Sequence, residues 1–409
     1  MVLLCRLTSS FPTVYAGEST LPATPMTLEE AEQQALSASP AMKAAAARVQ
    51  IEEGRKAQAG IYPNPDLSLD STWFTSSWGP KEWILSVRQP FPWHRKRGLA
   101  VNESAERIEA ALRDQERQRL DLLFDVRESF YRVYFDERVV QVEQENLDAT
   151  RAVKKAVDAR VAAGDAAPFE GLKAAVEVKR AEGRLELARG ELAARMSSFL
   201  ALLALPPDRP TSLSEPRLPL DPGEDLARLE ERALAGEPDI QSKHHLALAA
   251  GFAAQRARLE PRPDIAVGPL VGREEGASFA GAGISLPLPL WNHNRGGVAA
   301  ADAAVQEAMG LEDAARLSVK RLVAETFASY QSARTQRQFY EDGLLAQTEE
   351  LLADAQKAYE GGETGILELL DARRTALSVR EEYYRAALDV ALASLRLRRS
   401  LGEDSEEAP

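Results

Sequence analysis

The sequence predicts a mainly α fold with a small β part. The expected form is a long, coiled-coil-like helical barrel plus a membrane β-barrel, formed by four strands per protomer in a trimer. Three observations predict it. Residues 99–161 contain no proline and no glycine and read as one helical stretch of 63 residues. Four short segments alternate in polarity with the period of two that marks a strand. All five tryptophans, Trp73, Trp78, Trp83, Trp93 and Trp291, lie in or beside those segments.

Composition removes several classes. The chain has 409 residues, 63 acidic against 50 basic, and a net charge of -13. That balance excludes a general nucleic-acid binder, which needs a basic face for phosphates. Cys5 is the single cysteine, so there is neither an internal disulfide nor a thiolate zinc site. Mean hydropathy is -0.31. The purest long apolar run, 199–205, is far below the roughly 20 residues of a spanning helix. There is no zincin motif, no phosphate-cradling glycine loop and no nucleophile elbow. The expectation is therefore no enzyme, no catalytic residue and no cofactor.

The elements follow in order. Residues 1–24 read as a signal or N-terminal extension, with Val14-Tyr15-Ala16 spaced like a signal-peptidase site. Self-similarity then organises the chain at an offset of 198 residues. It pairs Pro40 with Pro238, Pro63 with Pro261, Trp93 with Trp291, Gly98 with Gly296, and Gly164 with Gly362. Near the middle the register slips by one, so Phe130 pairs with Phe327 at 197. The expected domains are a first repeat at 25–205, a proline-rich linker at 206–222, a second repeat at 223–402 and an acidic tail at 403–409.

Each repeat has one plan. Thr27 with Glu30 makes a capping box for a short helix. Pro40 then opens a second helix that stops at Pro63. A hairpin is predicted over 66–89 and a helical hairpin over 99–203, turning at Gly164 and Pro168. The second repeat gives a hairpin over 264–286 and a helical hairpin over 297–401, its first helix running 297–360. The helices at 40–62 and 169–203 together have 58 residues, close to the 63 of the long one. Two short helices end to end beside one long helix make a rod. Leu123, Val126, Phe130, Val133 and Val140 supply heptad-like seams, as do Leu367, Leu370, Leu377, Tyr384, Leu388 and Leu395.

The strands set the environment. Leu67, Leu69, Ser71 and Trp73 share one face, and Asp66, Ser68, Asp70 and Thr72 the other. Trp83, Leu85 and Val87 oppose Glu82, Ser86 and Arg88, with Ile84 the exception. Tryptophan favours the membrane–water interface, and barrels carry aromatic girdles there. Four strands cannot close a barrel, because open edges in lipid leave backbone groups unpaired. A trimer would bring about twelve strands and a pore. The second reading is a soluble periplasmic coiled-coil adaptor or scaffold, which would need a compact domain of many strands.

With these residues in view, the chain resembles the TolC-type outer-membrane efflux channel family over about residues 25–402. The resemblance rests on Leu28-Glu29-Glu30-Ala31, Tyr62-Pro63-Asn64-Pro65-Asp66-Leu67 and Gln89-Pro90-Phe91-Pro92-Trp93. It rests also on 285–292, which ends in Trp291-Asn292, followed by Arg295-Gly296-Gly297, and on the turns 160–164 and 358–362. Gln89-Pro90-Phe91-Pro92-Trp93 is similar to the heavy-metal branch. The resemblance implies a homotrimer in the outer membrane, in contact with its lipid, with a helical extension into the periplasm. It implies passive conduction of metal ions or small toxic molecules. It implies a periplasmic membrane-fusion adaptor and an inner-membrane pump of the resistance-nodulation-division type as partners.

It also assigns candidate residues. Glu368 and Asp371 match an acidic pair at the periplasmic aperture, joined by Glu363 and, at the equivalent turn, Asp165 and Glu170. Threefold symmetry would turn each into a carboxylate ring that favours cations. Arg160, Gly164, Tyr359 and Gly362 are expected at the adaptor contact. Trp73, Trp78, Trp83, Trp93 and Trp291, with Arg95, Lys96 and Arg97, are expected as membrane-interface anchors. No resident metal site is expected. His94 and His293 have no accompanying carboxylate or thiol in sequence, and His244-His245 read as surface residues of a helix.

Overall fold

The computed structural model describes residues 25–73, 80–207, 209, 211–216, 223 and 225–404. The leader reading, Cys5, Trp78 and much of the proline-rich 206–222 stretch lie outside the described residues, as does the tail beyond 404.

The chain opens with α1 (Leu28–Ala38) and α2 (Pro40–Ala59), then strands β1 (Asp66–Trp73) and β2 (Pro80–Phe91), then α3 (Lys96–Ala163) and α4 (Pro168–Leu202). The same order follows again: α5 (Leu226–Gly236), α6 (Pro238–Leu259), β3 (Ile265–Glu274), β4 (Ala277–Ser285) and α7 (Arg295–Phe339). A π turn (Tyr340–Leu344) leads into α8 (Leu345–Glu360), and α9 (Ile366–Ser400) ends the helical part. The capping box forms as its residues dictate. The Glu30 N–H donates to Thr27 Oγ1 at 3.2 Å, and the Thr27 N–H to Glu30 Oε2 at 3.0 Å.

The 68 residues of α3 span about 100 Å at 1.5 Å per residue. Two shorter helices flank this pillar in succession. The end of α2 lies at the start of α3, where Gly60 faces Val101. The start of α4 lies at the far end, where Gly171 faces Asp158. Likewise α6 lies along the start of α7, with Arg258 on Asp302 at 2.8 Å. Helix α9 covers the rest, from Ser400 beside Thr326 to Arg380 beside Glu349.

The expected helix over 297–360 is broken. At Gly343 φ is 136°, a conformation that side chains disfavour, and the π turn inserts one extra residue there.

The largest core cluster sits where α1, α3, α4 and α9 meet. Val126, Phe130, Tyr131 and Val133 of α3 pack with Phe199, Ala391 and Leu395, and the Phe130 and Phe199 rings meet edge to face at 5.9 Å. A second cluster joins α5, α6, α7 and α9 through Leu229, Ile240, Val323, Tyr330 and Leu397. Midway along α3 lies a largely buried ion cluster. Arg127, 5 % exposed, holds Glu32 at 2.5 Å and Asp404 at 2.6 Å.

The two hairpins are one sheet. Strand β2 pairs antiparallel with β3, giving the order β1-β2-β3-β4 with β1 and β4 as free edges. The register places Leu67, Leu69, Leu85, Val87, Val267, Val271 and Ile284 on one face. Leu67 and Ile284 there are 71 % and 78 % exposed, so that face has no cover within the protomer. The opposite face carries Asp66, Ser68, Asp70, Ser86 and Arg88, and across β3 and β4 the small residues Gly268, Gly272, Gly281 and Gly283. Glycine is required at Gly268, where a Cβ would stand 1.7 Å from the Val87 carbonyl oxygen.

Candidate functional site

The candidate residues fall at two ends of the helical rod. At the tip, α3 and α8 end in the same way. Gly164 (φ 85°) and Gly362 (φ 74°) take the left-handed conformation. Asp165 N–H donates to the Arg160 carbonyl at 2.9 Å, and Glu363 N–H to the Ala358 carbonyl at 2.8 Å. Both are Schellman turns, with the left-handed glycine just past the helix end and an acid next.

Beneath the turns, Val157, Ala174, Tyr359, Ile366, Leu369 and Leu370 form a small core. Arg160 lies over the Tyr359 ring, 5.0 Å from its centroid. The structure thus brings Arg160 and Tyr359 together, across the two helical hairpins. Tyr359 is only 6 % exposed, so it shapes the tip from below, while Gly164 and Gly362 stand on its surface.

Ile366, Leu369 and Leu370 face inward, so Leu367, Glu368 and Asp371 face out. The helix period produces this split: residues three apart share a face, and the intervening pair fall on the opposite one. Among the described residues, none of Asp165, Glu170, Glu363, Glu368 and Asp371 has an ion-pair partner. Five uncompensated carboxylates therefore collect at one end. Glu170 and Glu368 also sit in first helical turns, where the helix dipole favours negative charge.

Farther from the tip, carboxylates are buried and paired. Glu177 of α4, 7 % exposed, receives Arg374 of α9 and Arg180. Glu143 of α3 receives Arg184 at 3.3 Å. The sequence reading missed these residues because Glu and Arg on long helices read as solvated faces. No sequence signal marked the pair: Glu177 and Arg374 are 197 residues apart, while the repeat at Gly164 and Gly362 runs at 198.

At the other end, a collar joins sheet to helices. Trp93 N–H donates to Asp264 Oδ1 at 2.7 Å. Lys96 Nζ reaches the Arg262 carbonyl at 2.7 Å and Asp264 Oδ1 at 3.0 Å. Arg97 donates to the Gly60 carbonyl at 3.1 Å and lies over the Tyr62 ring at 4.1 Å. Lys96 and Arg97 therefore tie down the chain where α6 and α2 end, complementing their carbonyls. Arg95, with φ 82°, is exposed and unpartnered among the described residues. Trp291 is 90 % exposed, and Trp83 and Trp93 are half-buried. Trp73 closes β1 opposite Pro80. His244 and His245 of α6 reach Glu312 at 3.3 Å and Glu106 at 2.7 Å, bridging α7 and α3. No helix among the described residues is long and apolar enough to cross a membrane.

Comparison with known proteins gives this geometry a context. The model for outer membrane efflux proteins matches residues 31–204 and 229–403. The cobalt-zinc-cadmium resistance protein CzcC of Cupriavidus metallidurans is 27 % identical over 387 residues, covering 92 % of this chain and 90 % of that protein. The nickel and cobalt resistance protein CnrC of the same organism is 28 % identical over 309 residues, covering 70 % of this chain and 69 % of that one. Among solved structures, the outer membrane protein VceC of Vibrio cholerae superposes with a TM-score of 0.76 at 20 % identity, covering 93 % of this chain and 97 % of that one. The fold is thus shared with a solved outer membrane protein, and the chain belongs to the outer membrane efflux protein family.

Proposed function

We propose that the protein is the exit duct of a tripartite metal-efflux system, working as a homotrimer in the outer membrane. One observation carries this reading: a four-stranded sheet with a bare apolar face and two unpaired edges. Such edges cannot stand in lipid. Three copies joining β4 to a neighbouring β1 close them into about twelve strands around an open interior. The polar and glycine-lined face then borders the pore, and the long helices continue it into the periplasm. The chain divides into two repeats, 25–205 and 223–402, that supply matching halves of the protomer's sheet and rod.

The cargo is divalent metal cations, a reading supported by the resistance proteins CzcC and CnrC. A periplasmic adaptor and an inner-membrane pump of the resistance-nodulation-division type supply the energy. Arg160, Gly164 and Gly362 present the adaptor surface, with Tyr359 supporting it. Glu368 and Asp371, with Glu363, Glu170 and Asp165, form the acidic aperture. Trp83, Trp93, Trp291 and Arg95 meet the lipid headgroups, while Lys96 and Arg97 brace the collar.

Membrane fractionation with native mass tests the assembly. A trimer in the outer-membrane fraction is expected, and a soluble monomer overturns the reading. In planar bilayers, Glu368→Ala with Asp371→Ala should raise conductance and weaken block by divalent cations. Unchanged values for both would remove these residues from the aperture.

A further inference from the structure

The last helix carries two cations in its apolar seam. Leu370, Leu377 and Tyr384 step along α9 by seven residues, and Ile366, Arg373, Arg380 and Ala387 form the companion series. Ile366 and Ala387 are buried at its ends. Arg373 and Arg380 thus stand where a packed helix ordinarily places apolar side chains. Arg380 is compensated, reaching Glu145 of α3 and Glu349 of α8 at 3.4 Å each. Arg374, next to Arg373 in the chain, takes Glu177 of α4. Arg373 itself is half-buried and has no ion-pair partner among the described residues, and its Nε is buried without a hydrogen-bond acceptor. Burial alone lowers its pKa from the ordinary arginine value, with no carboxylate countering it.

Arg373 lines a cleft of about 180 Å³ where α3, α8 and α9 meet, far more space than one water needs. The walls are Val142 and Ala149 of α3, Leu352 of α8, and Ala376 and Leu377 of α9. The bridge from Arg380 to Glu145 and Glu349 borders the same cleft, and both acids are more than half exposed. A half-buried charge without a counterion is costly, so the guanidinium favours an anion that can reach it. Three features select that anion. The planar fork of Arg373 presents parallel N–H donors that match a carboxylate. The apolar walls suit a hydrocarbon body beside that group. Glu145 and Glu349 repel a multiply charged anion such as phosphate more than a monoanion.

We propose that this cleft binds a small monocarboxylate with a short hydrocarbon body, held by the Arg373 guanidinium between α3, α8 and α9. The site lies within one protomer and does not depend on the duct reading. Its position gives binding a mechanical consequence. Arg373 comes three residues after Leu370 of the tip core, about 4.5 Å along α9. An occupant touches the first helical hairpin through α3 and the second through α8 and α9, and ties them together just above the tip.

Calorimetric titration and thermal unfolding of the full-length, detergent-solubilised protein test it, with sodium butyrate as the probe. Butyramide has the same body without the charge, and inorganic phosphate has charge without the body; both are compared at matched ionic strength. Butyrate should bind saturably and raise the unfolding midpoint, since a ligand of the folded state stabilises it by mass action. Butyramide should do neither, and phosphate should bind more weakly than butyrate. Arg373→Met keeps a straight side chain and removes the charge. It should weaken butyrate binding about ten- to a hundredfold, the worth of a charged hydrogen bond. It should also raise the midpoint of the ligand-free protein, because an uncompensated charge leaves the seam. Arg373→Lys keeps the charge but loses the fork, and should bind butyrate with intermediate affinity. No binding to the wild type, an equal response to butyramide, or wild-type affinity in either variant overturns the site. Phosphate binding as tightly as butyrate overturns the assignment to a monocarboxylate. A ligand-free midpoint that falls in Arg373→Met shows a compensated arginine and overturns the proposal.

Discussion

The two long helices occupy equivalent places and behave differently. Helix α3 runs 68 residues unbroken and buries Val126, Phe130, Tyr131, Val133, Tyr134 and Phe135 in the largest core cluster. Its counterpart stops at Phe339, turns through Gly343 and resumes as α8. It leaves Leu317 at 69 % and Phe339 at 66 % exposed. Similar sequence plans thus yield a packed pillar and a jointed helix with apolar faces left open. The difference teaches that a recurring order of elements does not fix their mechanical roles, which burial assigns. A pillar must be over-determined by packing; a joint needs one residue free of a side chain and fewer neighbours around it.

The sharpest test of this contrast is Arg127. In the second half, at the slipped offset, Ala324 takes its place. Arg127→Ala removes the guanidinium that faces the buried Glu32 carboxylate, leaving Asp404 to Arg119, and should cost about 3–5 kcal/mol in thermal unfolding of the detergent-solubilised protein. A loss below about 1 kcal/mol, the range of an exposed ion pair, would mean that this cluster does not anchor the pillar.

The paired phenylalanines come next. Phe130 is fully buried, whereas Phe327 only borders its cluster. Phe130→Ala should destabilise by about 3–5 kcal/mol, and Phe327→Ala by clearly less. Equal losses would erase the contrast between pillar and joint.

The smallest effect concerns the joint. Gly343→Ala forces a side chain into φ 136° and should cost about 1–3 kcal/mol. Gly310 lies in regular helix with open space around it, so Gly310→Ala should stabilise by about 0.5–1 kcal/mol. Denaturant midpoints of the two variants moving in the same direction would show that the π turn is not strained toward glycine.

Much of the fold is legible in the residues because its signals are local. The capping residue Thr27, the N1 prolines Pro40 and Pro168 and the tip glycines Gly164 and Gly362 each act through the backbone beside them. Period-two alternation from Asp66 to Trp73 likewise marks a strand wherever it lies. The tip carboxylates are legible for the same reason, since spacing alone places Glu368 and Asp371 on one helical face. The break at Gly343 was not, because a single glycine inside a helical pattern is compatible with unbroken helix. Neither was the burial of Tyr359, nor the use of Lys96 and Arg97 to brace the collar, since each depends on carbonyls or rings from distant segments.

By itself, then, the sequence determined the element order, the amphipathic faces and the acidic turns, all set by the intrinsic geometry of helix and strand. Only the tertiary structure decided that β2 pairs with β3, and that Glu177 meets Arg374. Those meetings join residues roughly two hundred apart along the chain. Charge and polarity name the groups, but only packing brings them within hydrogen-bonding distance and strips away the water that would otherwise make their contact weak.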